Sequence, residues 1–316
     1  MSRVETVLGR ARAAGRPSLV SYITAGVRAD WTDLLAAMID AGADAVEIGL
    51  PFSDPMLDGP VIQQASGTAI RRGANTTAIL AELRRARPRA GQEGAVPLIA
   101  MSYANHAYHR GLARYCGELA EAGFSGTIIP DLPAGEADEY LAAAAGAGLD
   151  ATLMVTPATP PAQMRAIARR TRGFLYVMSV MATTGSTNER DDERRWALAA
   201  RALAARALAA QGPAARSAAQ GPAGLGPAAQ PQAAWAGDVG GRTVGEEKAV
   251  REPQDSARPV LIGFGIDTPA RAAAAVRHAD GVIVASALMR RVLDGAASPD
   301  IARAVGDLRA AIDSAR

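Results

Sequence analysis

Two acidic residues lie close together in an apolar, proline-rich stretch of the chain. Glu47 falls inside an apolar run that ends at Leu50, and Asp58 follows in a loop that contains three prolines and one glycine. A carboxylate in such a run is unfavourable unless it is paired, hydrogen-bonded or used in chemistry. The prolines stiffen the loop and should carry Asp54 and Asp58 back over the strand end. The pattern predicts two carboxylates that face one cavity.

The scarcity of some residue types in the chain excludes certain reaction mechanisms. Lys248 is the only lysine and lies in an Ala/Pro/Gly-rich stretch, so a Schiff base has no nucleophile on the folded core. No Asp, His or Cys group has the spacing of a zinc site, so we expect no metal. The three histidines are expected at the surface, two of them in a loop and one at a helix end: His106, His109 and His278.

Acid–base chemistry by Glu47 and Asp58 is what remains, on a phosphorylated substrate that supplies its own electron sink. The structural alternative is that Asp58 caps a helix beginning near Pro60 while Glu47 is a satisfied core acid.

Short apolar segments alternate with helical ones along most of the chain. The predicted strands are residues 18–25, 44–49, 96–101, 126–129, 151–155, 174–178, 259–262 and 281–284. Apolar strands that alternate with amphipathic helices indicate a parallel sheet covered on both faces. Eight units favour a closed (β/α)8 TIM barrel, in which functional groups lie at the carboxyl ends of the strands. The first of the connecting helices is predicted at residues 31–40, with Asp30 as its cap.

One segment after the sixth strand interrupts this alternation. Between Ala197 and Ala236, 19 of 40 residues are alanine, with Gln-Gly-Pro and Gly-Pro repeats. Residues 192–211 are compatible with a helix, although Leu198, Leu203 and Leu208 recur every five residues and do not make one apolar face. We therefore predict a flexible insertion at about residues 190–257 within a single domain that spans residues 1–316. A partner-binding arm is the alternative.

Composition excludes several classes of protein. The chain has 316 residues, is 49% hydrophobic and carries 34 basic against 32 acidic side chains. Arginines spread among acids, with only 4% aromatic residues, do not favour nucleic-acid binding. No signal core or membrane span is recognisable, so we expect a cytoplasmic protein. Cys116, the single cysteine, fits an inert position in a helix core.

A phosphate site is predicted between the last two strand ends. Gly263-Phe264-Gly265 and Ala285-Ser286-Ala287 follow the seventh and eighth strands, and Thr184-Gly185 after the sixth strand adds a third edge. Backbone N–H groups and a helix N-terminus bind phosphate at this place in many barrels.

The stretch from Glu47 to Pro55, Glu-Ile-Gly-Leu-Pro-Phe-Ser-Asp-Pro, followed by Asp-Gly-Pro, resembles the tryptophan synthase alpha subunit family. Further segments resemble landmarks of that family in order, and everything except roughly residues 190–257 is covered. These segments are 22–26, 102–105, 129–133, 263–266 and 280–287.

The resemblance implies a barrel enzyme that cleaves indole-3-glycerol phosphate to indole and glyceraldehyde 3-phosphate. Glu47 would carry the proton, and Asp58 would hold the indole N–H. Phosphate would be held by Gly185, Gly265 and Ser286, and Thr184 would bond Asp58 on loop closure. The residues that would line the indole pocket or its far wall are Tyr22, Met101, Tyr103, Asp131, Tyr176 and Phe264.

The resemblance also implies a partner. Family members form an α2β2 heterotetramer and pass indole through a tunnel to a beta subunit, which carries the pyridoxal phosphate, so no cofactor is expected in this chain. The loop Val180–Gly185 and Ala285 depart from the family pattern. Two alternatives therefore stay open: a weakly catalytic paralogue that docks and activates a beta subunit, and another phosphosugar isomerase or lyase of the barrel class.

Overall fold

The computed structural model is a closed barrel of eight parallel strands in sequence order, and it describes residues 3–86, 96–178, 198–199, 202–203, 258–263 and 265–315. The barrel closes where the first strand pairs with the last. The strands are β1 (Ser18–Thr24), β2 (Ala45–Gly49), β3 (Leu98–Met101), β4 (Phe124–Ile128), β5 (Asp150–Val155), β6 (Leu175–Met178), β7 (Val260–Gly263) and β8 (Gly281–Val284). The predicted TIM barrel is confirmed, and every predicted strand overlaps an observed one.

Helices pack around the barrel and bury apolar side chains against the strands. They are α1 (Arg3–Ala13), α2 (Trp31–Asp40), α3 (Pro60–Arg71), α4 (Thr76–Ala86), α5 (Ala104–Arg110), α6 (Leu112–Glu121), α7 (Asp138–Gly146), α8 (Pro161–Arg170), α9 (Pro269–Ala275), α10 (Ser286–Leu293) and α11 (Ser298–Asp313). Cys116 is buried in α6, as predicted. Helix α1 packs against β4 and β5, where Val4 and Leu8 are fully buried.

Acids at the amino ends of the strands bind backbone N–H groups and arginines. The carboxylate of Asp44, just before β2, accepts from the Leu19 N–H at 2.8 Å and from Arg309 at 3.0 Å, and it also pairs with Arg16. Asp280 accepts from the Val260 N–H at 2.8 Å. Asp150 accepts from the backbone N–H of α1 residue Glu5 at 3.1 Å. These bonds tie neighbouring elements together at this end of the barrel.

Three local predictions were wrong. Residues 104–110 form helix α5 and not a loop, because Asp131 Oδ1 accepts from the Ala104 N–H at 2.8 Å and satisfies its first turn. His106 on this helix is half-buried against Phe52, with ring centroids 5.3 Å apart, whereas the other two histidines are exposed as expected. Asp30 stands at the start of α2, but its carboxylate accepts from Arg28 Nε at 2.9 Å and does not cap the helix.

Between β6 and the residues just before β7, the structure describes only residues 198–199 and 202–203, all of them helical. Leu198, Ala199 and Ala202 are buried against the core, and Leu203 packs beside them. Ala199 and Ala202 therefore contribute to the buried face beside the two leucines. Leu208 lies outside the described residues, so the expectation that the three leucines make no single apolar face stays a prediction. The rest of the predicted insertion lies outside the described residues, so its flexibility stays a prediction.

Candidate active site

Glu47 lies in the middle of β2, where it is paired in register with Tyr22 of β1 and Ile99 of β3. Its side chain is 1% exposed, and Oε1 has no hydrogen-bond partner among the described residues. Burial, together with the negative charge of Asp58, raises the pKa of Glu47 to about 8. The carboxyl group is therefore protonated at neutral pH and holds a proton that it can transfer.

Asp58 lies in the loop between β2 and α3. Its Oδ2 accepts a hydrogen bond from the Tyr103 hydroxyl at 3.1 Å, and Gly59, not Asp58, occupies the cap position of α3. Burial raises the pKa of Asp58 to about 6, while the bond from Tyr103 opposes that rise. Asp58 is thus ionised near neutral pH when Glu47 is still protonated, and two carboxyls with separated pKa values can divide acid and base roles.

Two buried tyrosines, Tyr22 of β1 and Tyr176 of β6, interact electrostatically with these carboxyls. Burial and the charges of both acids raise the pKa values of Tyr22 and Tyr176, which keeps their hydroxyls neutral. Each ring lies over a strand-end glycine. A Cβ atom on Gly49 would come within 1.9 Å of the Tyr22 hydroxyl, and one on Gly263 within 2.2 Å of the Tyr176 hydroxyl. Only glycine leaves room for these side chains.

Two cavities meet at the carboxyl end of the barrel. A small pocket contains Asp58 together with Tyr22 and Met101, two of the residues expected there. A second cavity of about 620 Å³ opens beside it, and the rings of Phe52 and Tyr103 line both. The larger cavity is lined mainly by apolar side chains from three loops, from α8 and from strands β5 and β6, including Met56, Leu57, Ile129, Leu132, Met154, Ile167 and Met178.

The remaining expected site residues that the structure describes do not line the small pocket around Asp58. Asp131 lines the larger cavity, although its carboxylate also binds the first turn of α5. Gly265 follows β7 with a φ of 74°, and Ser286 begins α10 directly after β8, so both are at the expected ends of adjacent strands. Thr184, Gly185 and Phe264 lie outside the described residues. The phosphate site therefore stays a prediction.

Phe52 is the main site residue that sequence reasoning missed. Its ring stacks on Tyr103 with centroids 5.0 Å apart and an interplanar angle of 22°. The signal was present, because Phe52 lies within the Pro-Phe-Ser-Asp-Pro motif between the two acids. What the spacing did not reveal was its partner Tyr103, which follows a different strand, β3.

Within the described ranges, no three His, Cys, Asp or Glu side chains come close enough to hold a metal ion. The same part of the chain has no helix that is both long and apolar enough to cross a membrane.

A profile of the family described as "Tryptophan synthase alpha chain" matches residues 8–207 and 246–310. The match reaches further into both sides of the interrupted segment than the sequence motifs indicated. A tryptophan synthase alpha chain from Chloroflexus aurantiacus is 36% identical over 92% of this chain and 90% of its own length. Another, from Geobacter sulfurreducens, is 33% identical over 99% of each chain.

Solved structures give the same result. A Mycobacterium tuberculosis tryptophan synthase chain superposes with a TM-score of 0.74 at 28% identity, covering 99% of this chain and 98% of that one. The tryptophan synthase subunit alpha of Legionella pneumophila gives a TM-score of 0.72 at 27% identity, with 99% of each chain covered.

Proposed function

Because the chain belongs to the tryptophan synthase alpha chain family, we propose that Glu47 and Asp58 carry out the cleavage of indole-3-glycerol phosphate to indole and glyceraldehyde 3-phosphate. The observation that carries the proposal is the state of Glu47, a buried carboxyl whose Oε1 has no hydrogen-bond partner among the described residues and whose pKa is raised to about 8. A structural acid is normally paired, whereas a proton carrier must be poised to exchange its proton.

The reaction requires one proton to be given and one to be taken. Glu47 donates its proton to the indole ring carbon that bears the glycerol chain, which places the positive charge on the ring nitrogen. The Glu47 carboxylate then accepts the proton of the adjacent hydroxyl as the carbon–carbon bond breaks. The bonding electrons return to the indole ring, and the hydroxyl carbon becomes the aldehyde. Glu47 ends the cycle protonated, as it began.

Asp58 has a complementary role in this proposal. As a carboxylate it accepts a hydrogen bond from the ring N–H and stabilises the positive charge that develops there. Its lower pKa, about 6 against about 8 for Glu47, keeps it charged while Glu47 is protonated. The protonated indole is the electron sink, so the mechanism needs no lysine Schiff base.

The remaining expected residues would hold the two ends of the substrate. The indole pocket or its far wall would be lined by Tyr22, Met101, Tyr103, Asp131, Tyr176 and Phe264. Backbone N–H groups at Gly185 and Gly265 and at the start of α10, with the Ser286 hydroxyl, would bind the phosphate. Thr184 would bond Asp58 when the loop closes.

The chain would act within a larger assembly. We propose an α2β2 complex with a tryptophan synthase beta subunit that receives the indole and carries pyridoxal phosphate, with no cofactor in this chain. A cytoplasmic location is proposed with it.

The test is indole release from indole-3-glycerol phosphate by the purified chain, alone and with a beta subunit. Glu47→Gln keeps the shape of the side chain but cannot carry the proton, and the rate should fall by about 10²- to 10⁴-fold. Glu121→Gln is a matched control, since Glu121 pairs with Arg84 on the surface. Full activity in Glu47→Gln would refute the proposal. Complex formation without indole release by the unaltered chain would favour a docking subunit instead.

A further inference from the structure

The side chain of Tyr103 binds the loop that carries Asp58. The Tyr103 hydroxyl accepts a hydrogen bond from the Leu57 N–H at 3.0 Å and donates its own proton to Asp58 Oδ2 at 3.1 Å. A hydroxyl has one donor and two acceptor sites, so both bonds can exist together. Tyr103 thereby binds the backbone of one loop residue and the functional group of the next.

The ring of the same tyrosine holds the start of the loop. Phe52 stacks on Tyr103 with centroids 5.0 Å apart, and His106 contacts Phe52 edge-on with centroids 5.3 Å apart. Tyr103 is itself only 7% exposed and follows β3, so its position is fixed by the barrel. Both ends of the segment from Phe52 to Asp58 are therefore held from one rigid point.

We propose that Tyr103 is a positioning residue for the cleavage reaction, which holds Asp58 toward the indole N–H and keeps the loop from Phe52 to Asp58 in its working conformation. This inference rests on the proposed role of Asp58 and adds a role for Tyr103 beyond lining the pocket. A rigid support for a loop residue matters because misplacement of a reacting group by about 1 Å can lower a rate about 10²-fold.

The bond from Tyr103 also affects the charge of Asp58. A hydrogen bond donated to a carboxylate favours its ionised form, and it opposes the effect of burial on the Asp58 pKa. A phenylalanine in place of Tyr103 would keep the ring stack with Phe52 but lose both hydroxyl contacts. The ring and the hydroxyl can therefore be separated by a single conservative substitution.

The first experiment follows indole release against pH for the full chain in complex with a beta subunit, comparing wild type, Tyr103→Phe, Asp58→Asn and the double variant. Tyr103→Phe should lower kcat/KM at pH 7 by about tenfold and move the acidic limb upward by roughly one pH unit. In the Asp58→Asn background the same substitution should change the rate by less than about twofold, because the two groups act together.

Tyr140→Phe is the matched control, since Tyr140 is a buried tyrosine of α7 in the outer shell of the barrel. Tyr140→Phe should not move the acidic limb of the pH profile. The proposal would be overturned if Tyr103→Phe left the acidic limb at its wild-type pH and lowered the rate equally in the wild-type and Asp58→Asn backgrounds. Full activity in Asp58→Asn would instead overturn the proposed function of that residue.

A second measurement tests the support of the loop without turnover. Amide hydrogen exchange of a peptide that spans residues 52–62 should become about tenfold faster in Tyr103→Phe at Leu57, whose N–H loses its acceptor. The same peptide should be unchanged in Tyr140→Phe. Equal exchange in wild type and Tyr103→Phe would show that the hydroxyl does not hold the loop, whatever the activity of the chain.

Discussion

Asp44 and Glu47 are three positions apart in the chain and both are buried, yet their surroundings are opposite. Asp44, at the amino end of β2, is bound by two arginines and a backbone N–H group. Glu47, further along the same strand, has an Oε1 atom without a hydrogen-bond partner in the described part of the chain. Burial without pairing raises the pKa of Glu47 to about 8.

The same difference in hydrogen-bond partners separates the acids at the two ends of the barrel. At the amino end, Asp150 and Asp280 also accept bonds from backbone N–H groups and join neighbouring elements. At the carboxyl end, Asp58 is bound by one tyrosine in a loop, and its pKa is raised to about 6. An acid buried with partners therefore stabilises the fold, whereas an acid buried without them lowers stability and gains a transferable proton.

The largest expected effect is on the rate, in Glu47→Gln. Loss of the proton carrier should reduce kcat for indole release by about 10³-fold, or roughly 4 kcal/mol of transition-state stabilisation. The variant should also be more stable than wild type above pH 7. Equilibrium unfolding and steady-state kinetics on the same sample would reveal both changes.

The sign of the stability change follows from proton binding. Between pH 4.5 and about 8 the folded chain keeps a proton on Glu47 that the unfolded chain has lost, so stability falls as the pH rises through this window. Glutamine removes this contribution, and the gain should reach a few kcal/mol near pH 8 and vanish near pH 4. An equal effect at both pH values would contradict the raised pKa.

Asp44→Asn should have the reverse effect of Glu47→Gln, because it should lower stability and leave the rate nearly unchanged. Removing one charge from the buried cluster leaves Arg309, which is only 13% exposed, without that partner, and should lower the free energy of unfolding by about 3 kcal/mol. At 15 °C, where the variant stays folded, kcat should remain within about threefold of wild type. A large loss of kcat in a fully folded Asp44→Asn protein would remove the distinction between the two ends.

Gly49→Ala tests the packing around the carboxyl end and should have the smallest effect on stability. The added methyl would lie 1.9 Å from the Tyr22 hydroxyl and 2.6 Å from the ring carbon that bears it, so the ring must move. Such overpacking lowers stability by about 1–3 kcal/mol. Combining it with Tyr22→Phe should recover part of the loss, measured as a non-additive double-mutant cycle. Strict additivity would mean that Tyr22 is not the residue displaced.

Sequence reasoning predicted the barrel well because its signals are local. Apolar runs of four to seven residues, repeated eight times between helical segments, define the strands without knowledge of their contacts. Both acids could also be selected, since an acid within an apolar strand and another in a stiff loop are unusual in any sequence.

Contacts between distant segments could not be predicted in the same way. Helix α5 was missed because its first N–H group is satisfied by Asp131, 27 residues away. The bond from Tyr103 to Asp58 joins residues 45 positions apart, and nothing in their spacing indicates it. The expected cap at Asp30 failed because Arg28, two residues earlier, competes for the same carboxylate. Local patterns therefore located the reacting groups, and tertiary contacts determined how they are held.

The pH dependence of kcat/KM for indole release tests the central claim most directly. If Glu47 must be protonated and Asp58 ionised, the profile should be bell-shaped, with limbs near pH 6 and pH 8. The limb near pH 8 is the more specific of the two, because no ordinary carboxyl titrates there. A rate that stays level or rises from pH 7 to pH 9 would contradict the account, since Glu47 would then not be the acid that begins the reaction.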